Sequence, residues 1–320
     1  MTTLLQLSSM DERVVAALGR DFEIIPATTE TVDEVAAAHG ARVRCLLTRG
    51  RTPTTAALIA RLPALELIAN FGVGYDSIDL AAAAAAGVVV TNTPDVLNDE
   101  MADFTVGLLL ATIRQLPQAD RFVRDGRWAR GEPVALTASL RGRHVGIAGL
   151  GRIGRVIARR LSGFDVPVSA FVRRRPADFD LPTHDNLVAL AQAVDVLIVV
   201  LPGGAATRHM IDAPVLEALG PNGVLINVAR GSVVDEPALI AALQEGKIAA
   251  AGLDVFAREP HVPDALLALP NVVLLPHMGT ATHHTRGLMG DVVIANVRSW
   301  FAGTGPVTPV PETPYIQQPA

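Results

Sequence analysis

The stretch Val145-Gly146-Ile147-Ala148-Gly149-Leu150-Gly151-Arg152-Ile153-Gly154 decides the fold. It reads as a buried strand running directly into a G-x-G-x-x-G turn and then into a helix. The first glycine permits the tight turn, the second lets the backbone approach a pyrophosphate, and the third lets helix and strand pack closely. The helix N-terminus then faces the phosphate charge. A bare glycine pattern is also compatible with a tight turn in an ordinary α/β protein. Preceded by a strand and followed by a helix, it predicts a dinucleotide site on Gly149, Gly151 and Gly154.

Outward from this turn, short runs of Val, Ile and Leu alternate with longer helix-like segments almost from end to end. That is the pattern of parallel sheets covered by helices on both faces, so the class is α/β. From His144 onward, strands are expected at Val145 to Ala148, Val168 to Val172, Val196 to Val200, Val224 to Asn227, Ala249 to Leu253 and Val272 to Leu275. An earlier series falls at Leu4 to Leu7, Phe22 to Ile25, Val43 to Leu47, Leu65 to Ala69 and Val88 to Val90. The alanine-rich Leu80 to Ala86 reads as a helix stopped by Gly87. Asp99 to Arg124 reads as one long helical connection between two units, and a last helix is expected over Thr285 to Phe301 before a proline-rich tail. At 320 residues, two compact units are the natural expectation.

Half of the residues are apolar, enough for sizeable cores. The longest apolar stretch, Leu80 to Val90, falls well short of the roughly twenty residues that cross a bilayer. Met1 to Arg13 lacks the basic flank, apolar run and cleavage site of a signal peptide, so a cytoplasmic protein is expected. A net charge of −5 without a basic stripe disfavours nucleic acid as a partner. The single cysteine, Cys45, sits in the apolar run Val43 to Leu47 and reads as core filler.

The strand after the glycine turn ends in Arg173-Arg174-Arg175. An NAD site places an acid there, about twenty residues after the turn, to bind the adenosine ribose. Guanidinium groups pair instead with a 2'-phosphate, so NADPH is the expected cofactor, with NADH kept as the alternative. A solvated basic turn is the other reading of these arginines.

Three more segments end a strand with a reactive residue: Asn227 to Gly231 with Arg230, Asp254 to Pro260 with Glu259, and Pro276 to Gly279 with His277. In a parallel sheet the carboxyl ends of neighbouring strands share one edge, where ligands bind. Hydride transfer to a 2-keto acid needs this set. Arg230 offers a planar fork to the carboxylate and keto oxygen, and His277 can supply the proton that oxygen requires. Glu259 on the other imidazole nitrogen would favour the imidazolium. His283 and His284 follow closely, but no Cys or acid lies beside them, so no metal site is expected.

Taken in order, these segments resemble the D-isomer-specific 2-hydroxyacid dehydrogenases over nearly the whole chain. The resemblance also rests on Asn70-Phe71-Gly72-Val73-Gly74-Tyr75-Asp76, Thr91-Asn92-Thr93-Pro94, Gly252-Leu253-Asp254-Val255-Phe256 and Pro276-His277. It implies a Rossmann cofactor domain, residues 99–287, inserted in a flavodoxin-like substrate domain, residues 1–98 and 288–320. It implies Arg230, Glu259 and His277 as the catalytic set, with the backbone amides of Val73 and Gly74 holding the substrate carboxylate. Asp254 would contact the nicotinamide carboxamide, with Met101 and Ala229 lining that site. Further cofactor contacts are implied at Arg152, Ile153, Pro202, Thr207, Val228 and Gly279, and a homodimer through the helical region after Asp99.

Within the family, Arg173 to Arg175, Pro276 to Thr282 and Thr285-Arg286 look closest to the NADPH-using glyoxylate, hydroxypyruvate and hydroxyphenylpyruvate reductases. Gly203-Gly204 departs from the bulkier residues many members carry before Thr207. The loop Thr48 to Arg51 is expected to reach the substrate side chain, where Arg49 would favour a second acidic group. Two alternatives stay open: a nucleotide-sensing corepressor that binds partner proteins, and a formate dehydrogenase. The latter carries glutamine where this chain has Glu259.

Overall fold

The computed structural model describes residues 1–173 and 180–315. The chain divides into two units, one comprising Met1–Leu97 with the segment from Thr280 onward, the other Asn98–Gly279. The second division falls after Gly279, ahead of the boundary at 287 read from sequence, because the final helix packs on the first unit from its opening turns.

Among the described residues, five parallel strands make the sheet of the first unit. They are β1 (Thr3–Gln6), β2 (Glu23–Pro26), β3 (Val43–Arg49), β4 (Leu67–Phe71) and β5 (Val89–Thr91), in the order β2-β1-β3-β4-β5. This is the flavodoxin-like order. Strand β4 is buried along its length, as a strand covered on both faces must be. Helix α1 (Glu12–Leu18) lies against the C-terminal helix, and a Cβ at Gly290 of the latter would come within 2.8 Å of Val14 Cγ2. The expected loop Thr48 to Arg51 begins later than foreseen. Thr48 and Arg49 extend β3, paired with Asn70 and Phe71 of β4.

In the second unit, seven parallel strands are described: β6 (Val145–Ala148), β7 (Val168–Phe171), β8 (Thr183–His184), β9 (Val196–Val199), β10 (Val224–Asn227), β11 (Ala250–Leu253) and β12 (Val272–Leu274). Their order is β12-β11-β10-β9-β6-β7-β8, all parallel. Strand order reverses at β6, whose neighbours are β7 and β9, and this is the switch point at which a doubly wound sheet binds dinucleotides. Six strands are expected from sequence. The seventh, β8, is a two-residue edge pair without an apolar run.

The long connection is not one helix. Helix α2 (Asn98–Ile113) and helix α3 (Leu116–Arg124) are separated at Gln115, which adopts a left-handed conformation with φ +50°. Pro117 explains the break, since it has no N–H to donate and its ring collides with the carbonyl one turn back. Helix α2 packs on helix α4 (Arg152–Leu161) and on β11, where a Cβ at Gly252 would fall 2.3 Å from Thr112 Oγ1. Helix α4 buries Val156, Ile157 and Leu161 on one stripe and exposes Arg152 and Arg159. Helix α5 (His283–Phe301) starts two residues before its expected position, with the Thr282 side chain accepting from the N–H of Thr285.

Candidate active site

The glycine turn follows β6 with each glycine in a different circumstance. Gly149 has φ +111°, a conformation reserved for glycine, and its N–H donates to Phe171 O of the next strand. A Cβ at Gly154 would lie 2.1 Å from Gly149 O, so only glycine lets α4 approach the turn this closely. A Cβ at Gly151 would meet nothing within 4 Å. Gly151 also caps α4 without a side-chain hydrogen bond. Open space in front of helix N–H groups is what a pyrophosphate needs, so the turn fits a dinucleotide. Arg152 and Ile153 open the helix, and Arg173 is exposed two residues beyond β7. Arg174 and Arg175 lie outside the described residues.

The other residues expected to meet a cofactor gather along the carboxyl edge of the same sheet. Thr207, buried, donates its hydroxyl to Pro202 O at 2.7 Å, which ties the segment after β9 into a compact turn. Gly204 in that turn has φ +117°, so the glycine that departs from bulkier relatives meets a backbone need here. Val228 and Ala229 are buried after β10. The Asn227 side chain braces this segment, accepting from Ala229 N and donating to Arg230 O, both at 3.1 Å.

Arg230, Glu259 and His277 stand after β10, β11 and β12. The Arg230 guanidinium donates to Ala229 O at 2.9 Å. A Cβ at the following Gly231 would fall 1.9 Å from the carbonyl carbon of Phe256, so this turn lies directly against the one that carries Glu259. Glu259 accepts from Phe256 N through one carboxylate oxygen (3.2 Å) and meets His277 Nδ1 through the other (2.8 Å). His277 itself has φ +54°, unusual for a residue with a side chain, and keeps Nε2 without a partner among the described residues. Both side chains are largely buried, Glu259 at 15% exposure and His277 at 25%, which strengthens their hydrogen bond relative to one in water.

Asp254, at the end of β11, is almost wholly buried. Its carboxylate accepts the N–H groups of Met278 at 2.7 Å and Gly279 at 3.0 Å, and so grips the two residues that follow His277. Burial pushes the Asp254 carboxyl up, with those two hydrogen bonds opposing the shift. A Cβ at Gly279 would come within 2.6 Å of Met101 Sδ, which places Met101 of α2 beside Asp254 and His277. Among the described residues, no three His, Cys, Asp or Glu side chains are placed to hold a metal ion. No described helix is long and apolar enough to cross a membrane.

In the first unit, the turn after β4 presents its amides. Asn70 Nδ2 donates to Gly72 O and Gly74 O, Thr93 N to Gly72 O, and Asn92 Nδ2 to Val73 O. With these carbonyls occupied, the N–H groups of Val73 and Gly74, which have no partner among the described residues, are left for an acceptor from outside. Asn70, Asn92 and Asn227 carry no separate role in the sequence, and their common signal is an amide side chain at or just past the end of an apolar strand.

A doubly wound sheet with an open glycine turn and an Arg, Glu and His set on its carboxyl edge defines an NAD(P)-dependent oxidoreductase acting on a CH–OH group. Residues 106–279 match the family model of the D-isomer specific 2-hydroxyacid dehydrogenase NAD binding domain, and the chain belongs to this family. It is 46% identical to glyoxylate/hydroxypyruvate reductase A of Arabidopsis thaliana over 85% of this chain and 87% of that one. It is 42% identical to hydroxyphenylpyruvate reductase of Plectranthus scutellarioides, over 96% and 98%. The crystal structure of an NADPH-dependent glyoxylate/hydroxypyruvate reductase from Sinorhizobium meliloti, in complex with NADP and malonate, superposes with TM-score 0.95 at 48% identity, covering 99% of both chains. The corepressor and formate dehydrogenase alternatives find no support among these relatives.

Proposed function

We propose that the protein is an NADPH-preferring reductase of short 2-keto acids, with glyoxylate and hydroxypyruvate as its substrate class and a D-2-hydroxy acid as product wherever that product is chiral. The observation that carries this reading is the 2.8 Å contact between His277 Nδ1 and Glu259 Oε2, which leaves Nε2 without a protein partner among the described residues, on the edge that also bears the glycine turn.

When bound, the reduced nicotinamide supplies the hydride. The glycine turn, Arg152 and Ile153 would hold its pyrophosphate, Arg173 to Arg175 its 2'-phosphate, and Pro202, Thr207, Val228, Ala229, Asp254, Gly279 and Met101 the remainder. His277 gives its Nε2 proton to the developing alkoxide, while Glu259 holds the doubly protonated ring through Nδ1 and balances its charge. Arg230 binds the carboxylate and polarises the keto oxygen with its planar fork. The Val73 and Gly74 amides receive the substrate carboxylate. In this reading the unit Asn98–Gly279 serves the cofactor and the other unit the substrate.

Homodimerisation belongs to the same proposal. Helix α3 buries no residue of its own, and beyond it Trp128, Val134 and Leu136 are exposed, Leu136 completely. So large a run of exposed apolar side chains is characteristic of a surface that a second copy covers. Cytoplasmic residence is part of the reading.

The test is oxidation of NADPH and of NADH by the purified protein with glyoxylate, hydroxypyruvate, pyruvate, phenylpyruvate and hydroxyphenylpyruvate. Faster turnover of the two short acids with NADPH is expected. Activity with none of the five would overturn the proposal.

A further inference from the structure

Two arginines of the first unit share one aromatic ring. Arg49, the last residue of β3, holds its guanidinium carbon 5.1 Å from the centroid of the Phe71 ring. Arg286, in the first turns of α5, holds its own 5.7 Å from the same centroid. Phe71 is the register partner of Arg49 and the last residue of β4, directly before the Gly72 to Gly74 turn. That turn and the arginine loop touch, since a Cβ at Gly72 would come within 3.8 Å of Gly50 N.

Among the described residues, neither guanidinium meets a carboxylate at ion-pair distance, and Arg49 Nε is buried with no hydrogen-bond partner. Burial first, and then the neighbouring arginines, pull both below the ordinary arginine value. Asp11 is the acid that acts on both from a distance, and its carboxylate already caps α1 through Arg13 N. Arginine keeps its proton under such pressure, so both guanidinium groups stay charged in partly buried surroundings. Such charge is stabilised when an anion arrives with its own hydrogen-bond acceptors.

We propose that Arg49 and Arg286, stacked on Phe71 beside the Val73 and Gly74 amides, form a second anion subsite that takes the distal carboxylate of a short 2-oxo dicarboxylate. The inference rests on the reductase reading above and names a substrate class for it. One carboxylate goes to the amides of the turn and the other to the arginines, so both anchors come from the first unit. Phe71 holds the two guanidinium planes in place and limits the water around them.

The test compares kcat/KM for 2-oxobutanedioate with that for hydroxypyruvate in the wild type, Arg49→Met and Arg286→Met. The ratio should fall about tenfold to a hundredfold in each variant, the worth of one charge-assisted hydrogen bond. A ratio unchanged in both variants overturns the proposal. Calorimetric titration with malonate and acetate supplies a readout that needs no turnover. Tighter binding of malonate, weakened by Arg286→Met but not by the exposed substitution Arg20→Met, supports the subsite, and equal binding of the two acids overturns it. A wild type that binds malonate through Arg286 yet reduces neither acid would sink the reductase reading and keep the subsite.

Discussion

Asp254 does not reach His277 directly; its two carboxylate oxygens hold the backbone N–H groups of Met278 and Gly279, the residues immediately after it. The left-handed φ of His277 is therefore fixed from its C-terminal side by a buried acid, and its imidazole from the side by Glu259. Backbone and side chain are oriented by two different carboxylates.

Asp254→Asn should disturb both orientation and the pH dependence of stability. One amide oxygen replaces two acceptors, and the NH2 group faces a backbone N–H, so kcat should fall with little change in fold. Burial raises the Asp254 carboxyl in the folded protein. The folded state then binds its proton more tightly than the unfolded chain, and stability from this group is lost as pH rises from the ordinary aspartate range through the raised value. Denaturant unfolding at a series of pH values should show that downward slope in the wild type and not in the variant.

Gly151→Ala and Gly154→Ala should separate binding from folding. An alanine Cβ at 151 meets nothing, so stability should stay within about 0.5 kcal/mol while NADPH binding weakens. At 154 the Cβ would press on Gly149 O, and a loss of about 1–3 kcal/mol is expected along with cofactor affinity. Thermal unfolding with and without NADPH checks both. Equal destabilisation by the two substitutions would contradict the assigned roles.

Glu259→Gln should keep the hydrogen bond to Nδ1 and lose the charge. The ring then loses the charge beside it that balances proton donation, so kcat should fall by roughly tenfold or more while the Kd for NADPH is kept. An unchanged kcat would remove Glu259 from its electrostatic role.

Arg173→Glu should lower kcat/KM for NADPH by roughly tenfold or more, the value of a charge-assisted phosphate contact, and spare NADH. Steady-state kinetics with the two cofactors reads the ratio, and an equal effect on both would make Arg173 a solvated surface residue.

Much of this is legible in the chain because it is local. The glycine turn, its strand and its helix lie within a few residues, and strands buried on both faces announce themselves as apolar runs. The Gln115 break is hidden because the apolar content continues across it, while a single proline decides the backbone. Strand β8 is hidden because an edge strand needs no apolar run. Long-range pairings leave no periodic trace. No pattern in the residues themselves signals that α5 returns to β4, which only the resemblance implies, and nothing near Asn227 or Asn92 shows which carbonyl each side chain will take. In the sequence Arg286 stands out only as part of a resemblance, and its place over Phe71 follows from the packing of the C-terminal helix on the first sheet.

The most direct test of the account is the single-turnover and steady-state behaviour of His277→Ala with NADPH and hydroxypyruvate. Loss of the positioned proton donor should reduce kcat by roughly a hundredfold to ten-thousandfold, with the Kd for NADPH changed by no more than a few-fold. A variant that retains wild-type kcat would contradict the assignment of His277, and with it the chemistry built on the Glu259 pair.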